Sequence, residues 1–221
     1  RTAASFISSI TGIKSNSENE NYFANFKRKD CSQIFLPGLV VVGSHVELST
    51  LQLKTLIEKS HCDPIELNVF EFFRIISSEN NQNKLNSFQI TLLEKIRTAF
   101  INGKTPVLFT SRKLVSLDNE EQVTFYNSLA LFIAKLVADL KNEIGYLISK
   151  GGITTNVILS NGLKADYVYL EGQIITGISL VTCKLENAER LPVITFPGNF
   201  GDKYSLLKVW NILENKNNFK R

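Results

Sequence analysis

Four short stretches of this sequence combine small, hydroxyl, amide or basic residues suited to holding an anion. In Lys150-Gly151-Gly152-Ile153-Thr154-Thr155 the paired glycines remove the Cβ atoms that would keep a phosphate from backbone N–H groups. A helix starting there would add free amides and a positive dipole end, with Thr154 or Thr155 capping it or donating a hydroxyl. A plain tight turn explains Gly-Gly in isolation equally well. In Phe196-Pro197-Gly198-Asn199-Phe200-Gly201-Asp202, Gly198 would admit a ligand to the backbone and Asn199 would hydrogen-bond it. Asp202 there suits a helix cap better than a metal ligand. Gly43-Ser44-His45 offers a hydroxyl donor at Ser44, with a turn serine as the alternative. His45 is a candidate base, although a lone histidine at a strand end more often packs or hydrogen-bonds. In Thr110-Ser111-Arg112 the guanidinium of Arg112 suits bidentate phosphate binding, and a surface salt bridge accounts for it as readily. The chain has no G-x-x-x-x-G-K-[ST] and no G-x-G-x-x-G, so neither a P-loop nor a Rossmann dinucleotide site is expected. No Ser-His-Asp order and no paired-carboxylate spacing stands out.

All four stretches fall where strands should end. GLVVVG at 38–43 reads as a buried strand, Ile65–Leu67 as a second after a break at Asp63-Pro64, and Thr105–Thr110 as a third. Gly145–Ser149 and Pro192–Phe196 read as two more, and residues 166–182 as a hairpin or bent strand pair. Helices are expected from a Ser49/Gln52 capping box with Leu53, Leu56 and Ile57 inward, over 88–101 up to Gly103, over 119–141, over 154–161, and from Asp202. The Asn-rich stretch 79–86 reads as a loop. Strands alternating with helices imply an α/β layered domain: a mostly parallel or mixed central sheet flanked by helices, with ligands at the carboxyl ends of the strands.

Composition narrows the function classes. The 221 residues are 43% hydrophobic and 21% charged, enough to bury a core and not broadly disordered. A net charge of +4 suits an anionic ligand but is too mild for nucleic acid, and Lys27-Arg28-Lys29 and Lys220-Arg221 read as solvated surface or tail. Three widely spaced cysteines without C-x-x-C point to reduced thiols and a cytoplasmic location. His61 beside Cys62 lacks a second ligand pair for a metal. No apolar run of membrane-spanning length and no signal peptide is seen. An initial Arg1 and the lack of Met predict that the sequence is part of something longer.

Taken in order, RTAASF at 1–6, GSHVELSTLQL at 43–53, FTSRKLV at 109–115, KGGITTNVIL at 150–159, LEGQIITGISL at 170–180 and FPGNFGDKYSLL at 196–207 resemble the four-carbon acid sugar kinase family. Its members are ATP-dependent kinases for threonate, erythronate and 3-oxo-tetronate. The resemblance implies an N-terminal domain that binds the sugar acid and a C-terminal domain that binds ATP. Residues 1–13 would end the first domain, 14–34 would link, and 35–221 would be the nucleotide-binding domain. It implies ATP contacts at Ser44, at Gly151, Gly152, Ile153 and Thr154, and at Gly198, with Mg²⁺ as cofactor. The catalytic base and most sugar-acid contacts would lie in the N-terminal domain, the partner of this one in the same protein. Some members carry an acidic residue where this chain has Ile153. The expected activity is γ-phosphoryl transfer to a sugar-acid hydroxyl, with Arg112 or Lys150 offsetting charge on the transferring group. The alternatives are a non-catalytic nucleotide- or metabolite-binding module and a generic α/β interaction domain.

Overall fold

A computed structural model describes residues 20–79, 81–112 and 118–214. The 1–13 element, residues 14–19 of the expected linker, 113–115 of FTSRKLV and 215–221 lie outside the described residues. The strands are β1 (Gly38–Val42), β2 (Cys62–Leu67), β3 (Thr105–Thr110), β4 (Tyr146–Lys150), β5 (Tyr169–Ile175), β6 (Ile178–Lys184) and β7 (Arg190–Phe196). The helices are α1 (Glu20–Ala24), α2 (Glu47–Lys59), α3 (Val69–Ile76), α4 (Asn81–Ile101), α5 (Asn119–Leu140), α6 (Gly152–Val157) and α7 (Ser205–Leu213), and α6 runs on into a π-helical turn at Ile158–Gly162.

The strands form one mixed sheet in the order β2-β3-β1-β4-β7-β6-β5. From β2 to β7 the neighbours are parallel, with Val40 opposite both Val107 and Ile148. β7, β6 and β5 pair antiparallel, so the 166–182 region is a hairpin. It turns at Gly177, whose φ of +80° is one that glycine adopts at no steric cost. Every residue of β1 is buried, because helices cover both faces of the sheet. Leu39 and Val41 point into one core with α3, α4 and α5. Val40 and Val42 point into the other with α1, α2 and α7. This is the expected α/β layered architecture. α5 is long and apolar enough, by length and composition, to cross a bilayer, against the expectation that no run reaches that length. Its stripe of Phe125, Leu129, Ile133, Val137 and Leu140 instead packs into the first core.

Several local expectations are corrected. Asp63 and Pro64 lie inside β2 and do not break the chain, because β2 is an edge strand where a missing N–H is tolerated. The Asn-rich 81–86 segment is the first part of α4 and not a loop: its polar side chains face solvent, Gln82 donates to Asn86 at 3.0 Å, and Leu85 packs on the core. α3 was not foreseen. Asn68 caps it by accepting from the Glu71 amide, and Val69 and Phe72 are its buried residues. Ser49 and Gln52 are not a capping box, since α2 starts two residues before Ser49, at Glu47, and no side chain caps it. The Lys27-Arg28 pair is not solvated surface. Lys27 pairs with Glu214 at 2.9 Å, and Arg28 donates to the carbonyls of Lys141 and Ile144 at 2.7 and 2.9 Å. Within the expected linker, α1 buries Phe23 against the second core. Cys62 and Cys183 are buried thiols and Cys31 is an exposed one.

Candidate nucleotide site

Three strand ends meet at Ser44. The chain leaves β1 through Gly43, whose amide donates to Lys150 O at 3.2 Å, and then presents Ser44 and His45. It leaves β4 through Gly151, whose amide donates to Phe196 O at 2.9 Å and whose φ of +121° favours glycine. A Cβ on Gly151 would lie 3.3 Å from Ser44 Cβ, and one on Gly198, beyond the end of β7, would lie 2.6 Å from Ser44 Oγ. The two glycines therefore let the β4 and β7 loops close on the β1 loop.

α6 begins at once after Gly151, which as N-cap has no side chain to offer. The amides of Gly152, Ile153 and Thr154 are thus left without intrahelical acceptors. A Cβ on Gly152 would meet no atom within 4 Å, so this glycine faces open space. Thr154 is buried beneath Gly43, where any Cβ would collide with its hydroxyl. Thr155 is committed to structure, with Oγ1 2.8 Å from Ser149 Oγ and donating to Ser149 O at 3.1 Å. Ile153 is 71% exposed at the mouth.

These loops form one side of a cleft of about 510 Å³. Ser44, Gly151 to Thr154 and Gly198 line it together. The opposite side is α5, through Val123, Tyr126, Ala130 and Ile133. His45 and Thr110 form the end between them, with His45 Nε2 3.1 Å from Thr110 Oγ1. Burial, and then the positive charge of Arg112, push the His45 pKa below its ordinary value, so the ring is held toward its neutral form. His45 Nδ1 and Tyr126 Oη are buried without hydrogen-bond partners.

Other predicted residues sit differently. Arg112 does not line the cleft. Its Nη1 donates to Ser44 O at 2.6 Å and its guanidinium lies 5.8 Å from the Phe109 ring centroid, so it fixes the backbone that carries Ser44. Asn199 is exposed and outside the lining. Lys150 does not reach the cleft either: it is fully buried on the other face of the sheet, 3.9 Å from the Phe196 ring centroid. Its Nζ donates to Pro197 O and Gly198 O at 3.0 and 3.1 Å. Asp202 is not the N-cap expected of it, because α7 starts at Ser205 with Tyr204 as its N-cap and no side chain capping it; Asp202 instead braces the turn before the helix, accepting from the Tyr204 amide at 2.9 Å and from Ser205 Oγ at 2.8 Å.

Sequence reasoning missed what holds the Gly198 loop. Ser49 Oγ donates to Gly198 O at 2.8 Å, and Gln52 Nε2 donates to Phe200 O and Asp202 O at 2.9 and 2.6 Å. Both residues are fully buried. The available signal was a serine and a glutamine on the inward face of an amphipathic helix, where a buried polar group implies a partner.

Burial lowers the Lys150 pKa to about 7. The folded state then binds fewer protons than the unfolded chain between about pH 7 and the ordinary lysine value. Stability therefore rises with pH across that window, and the cost is complete below it. Lys150→Met should flatten this slope, as read by urea unfolding at pH 7 and pH 9. An unchanged slope would show that Lys150 is not its source.

No Asp or Glu lines the cleft, and no group of three His, Cys, Asp or Glu side chains among the described residues could hold a metal. Mg²⁺ is normally bound through one or two carboxylates together with phosphates. The described residues of this cleft do not fit that role.

A cleft outside the carboxyl ends of parallel strands is where α/β folds bind ligands. Residues 39–206 match the family model of a nucleotide-binding C-terminal domain, and the chain belongs to that family. No curated protein matches it. Among solved structures it is similar to a DUF1537-family protein from Bordetella bronchiseptica, a domain-swapped dimer with bound citrate, at 20% identity and a TM-score of 0.61 over 80% of this chain and 41% of that one. A Haemophilus influenzae protein of the same family matches at 19% identity and a TM-score of 0.60, over 81% of this chain and 42% of that one. These likenesses show the fold, and the chain spans about two fifths of the length of those structures.

Proposed function

We propose that this chain is the ATP-binding part of a kinase that phosphorylates a hydroxyl of a four-carbon sugar acid. The observation that supports it most is the meeting of Ser44, the open amides after Gly151, and Gly198 in one cleft. Unpaired helix-terminal amides and a hydroxyl suit a polyphosphate and need no Walker lysine. In the transfer, the bond from the γ-phosphorus to the β–γ bridging oxygen breaks. A new bond forms to the acceptor oxygen, and the hydroxyl proton passes to a base outside this domain. ADP and the phosphorylated acid are the products. The part of this chain is to hold and orient the phosphates, and most of the rate of such transfers comes from positioning and charge stabilisation. The acid and the base belong to the N-terminal domain that the resemblance implies, and the reading places the protein in the cytoplasm.

The test is a melt of the chain with a non-hydrolysable ATP analogue. Saturation at a hundred times Kd stabilises by about 2.7 kcal/mol, and a shift of several degrees is expected. No shift at millimolar analogue overturns nucleotide binding. If the analogue binds but the complete protein transfers no phosphate to threonate, erythronate or 3-oxo-tetronate, the non-catalytic binding module replaces the kinase.

A further inference from the structure

The sheet ends at β2 on one side and at β5 on the other. An end strand has a strand neighbour on one side only, and its outer edge is a template for pairing with another chain unless something blunts it. The β2 edge is blunted. Pro64 lacks an N–H, Asp63 and Glu66 are charged, and Thr91 and Lys95 of α4 face the strand across a groove. The β5 edge has none of these devices where it begins. Tyr167, Val168, Tyr169 and Leu170 follow one another there, uncharged and all exposed, Leu170 to 71%. Single exposed apolar residues are ordinary on a protein surface, but four in succession on an open strand edge call for a partner.

The partner must suit both the place and the pattern. β5 runs parallel to β7, because each is antiparallel to β6, so β5 begins at the amino edge of the sheet, whereas the glycine-walled cleft lies at the carboxyl edge. A domain that serves the cleft therefore meets the other end of the sheet. The side chains of the β5 edge are already ordered. The Tyr167 and Tyr169 rings stand edge to face with centroids 5.4 Å apart, and the Arg190 guanidinium lies 4.1 Å from the Tyr169 centroid. Little rotamer freedom is left for pairing to remove.

The edge is also complementary to itself. When two copies meet antiparallel about a two-fold axis through Tyr169, Val168 of each faces Leu170 of the other on one side of the sheet, and the two Tyr169 rings meet on the other side. Tyr167 then comes beside Glu171 of the second copy, phenol to carboxylate, and no like charges are opposed within these pairs. The register with β6 shifts between Leu170 and Gly172, which ends the regular edge just past them.

We propose that the β5 edge is a homodimer interface, in which residues 167–170 of two copies of this chain pair antiparallel and join the two sheets into one. The blunted β2 edges stop the assembly at two. Because the strands of the second copy run the other way, the two clefts open at opposite ends of the joined sheet and both stay accessible.

The test is sedimentation of the 221-residue chain over a concentration series, with two double variants. Wild type should approach twice the mass of one chain as concentration rises. Val168→Lys with Leu170→Lys, and Val168→Glu with Leu170→Glu, should each lose the dimer, since like charges then face each other across the axis. Mixed in equal amounts, the two variants should recover it. Both positions are exposed, so each variant should keep the wild-type circular dichroism spectrum. A wild type that stays monomeric up to its solubility limit overturns the interface. So does a dimer that persists undiminished in either double variant. Variants that stay apart on mixing overturn the pairing of Val168 with Leu170, and the proposed axis with it.

Discussion

Gly152→Val should cost the chain about a hundredfold in affinity for an ATP analogue while leaving it folded. The residue is the first of α6 and is not among the glycines of positive φ, so a side chain fits its backbone. A Cβ there would meet nothing within 4 Å, so no clash inside the protein opposes it. On the proposed reading, the open volume it enters is where a phosphate would approach the amides of Gly152 and Ile153. A hydrogen bond to a charged group contributes about 1.5–3 kcal/mol, and denying a phosphate one or two of them gives the hundredfold figure. Gly152→Ala sharpens the test. Ala at a helical position is favoured over Gly by up to about 1 kcal/mol, so this variant should melt no lower than wild type and yet bind about tenfold more weakly. A rise in stability with a fall in affinity separates a ligand cradle from a turn glycine. The neighbouring Gly151 offers the control: its φ of +121° and its approach to Ser44 make any substitution there strained, and loss of binding would come with loss of stability. Full affinity in Gly152→Val would remove the phosphates from α6.

The elements that frame this site were legible because they rest on local pattern. β1 and β3 are short β-branched runs closed by Gly43 and by Thr110-Ser111, and α5 carries its apolar stripe in plain register. The glycine pair after β4 was visible as a loop with unusual backbone access. The errors have a common physical origin. Ser49 and Gln52 have the spacing of a capping box, a signal of local bonding, but their partners lie about 150 residues on, at Gly198, Phe200 and Asp202. A pattern of i and i+3 cannot show which distant backbone a polar side chain will meet. Lys150 was placed in the site because it precedes the glycines. The two-residue period of β4 puts it on the face of Tyr146 and Ile148, pointing away from the cleft. The polar start of α4 was read as a loop since solvent-facing asparagines look alike in either state. The helix over 119–141 carried no sign of a ligand wall, and only the sheet geometry shows that Val123, Tyr126, Ala130 and Ile133 of α5 line a cleft with Ser44 and Gly152.

Trp210→Ala should destabilise the chain by about 3–5 kcal/mol, the range for truncating a buried aromatic. Trp210 is 2% exposed in the second core, among Leu206, Leu207, Val209 and Leu213 of its own helix. Its indole N–H donates to Thr105 Oγ1 at 3.1 Å, which ties α7 to the start of β3. The truncation leaves a cavity beneath α7 and removes that hydrogen bond. Against a total stability of about 5–15 kcal/mol for a natural domain, the loss is large enough to read directly from the urea midpoint. A change under about 1 kcal/mol would show that α7 does not depend on this side chain. The site should feel the change less than the fold does. The chain enters α7 straight from the Gly198 loop, but Ser49, Gln52 and Lys150 hold that loop from α2 and β4 through hydrogen bonds that the substitution does not touch. At a temperature where Trp210→Ala remains folded, its affinity for the ATP analogue should therefore stay within about threefold of wild type, close to the additivity expected of separated sites. A loss as large as that of Gly152→Val would mean that the loop is positioned by the packing of α7 and not by the polar side chains beneath it.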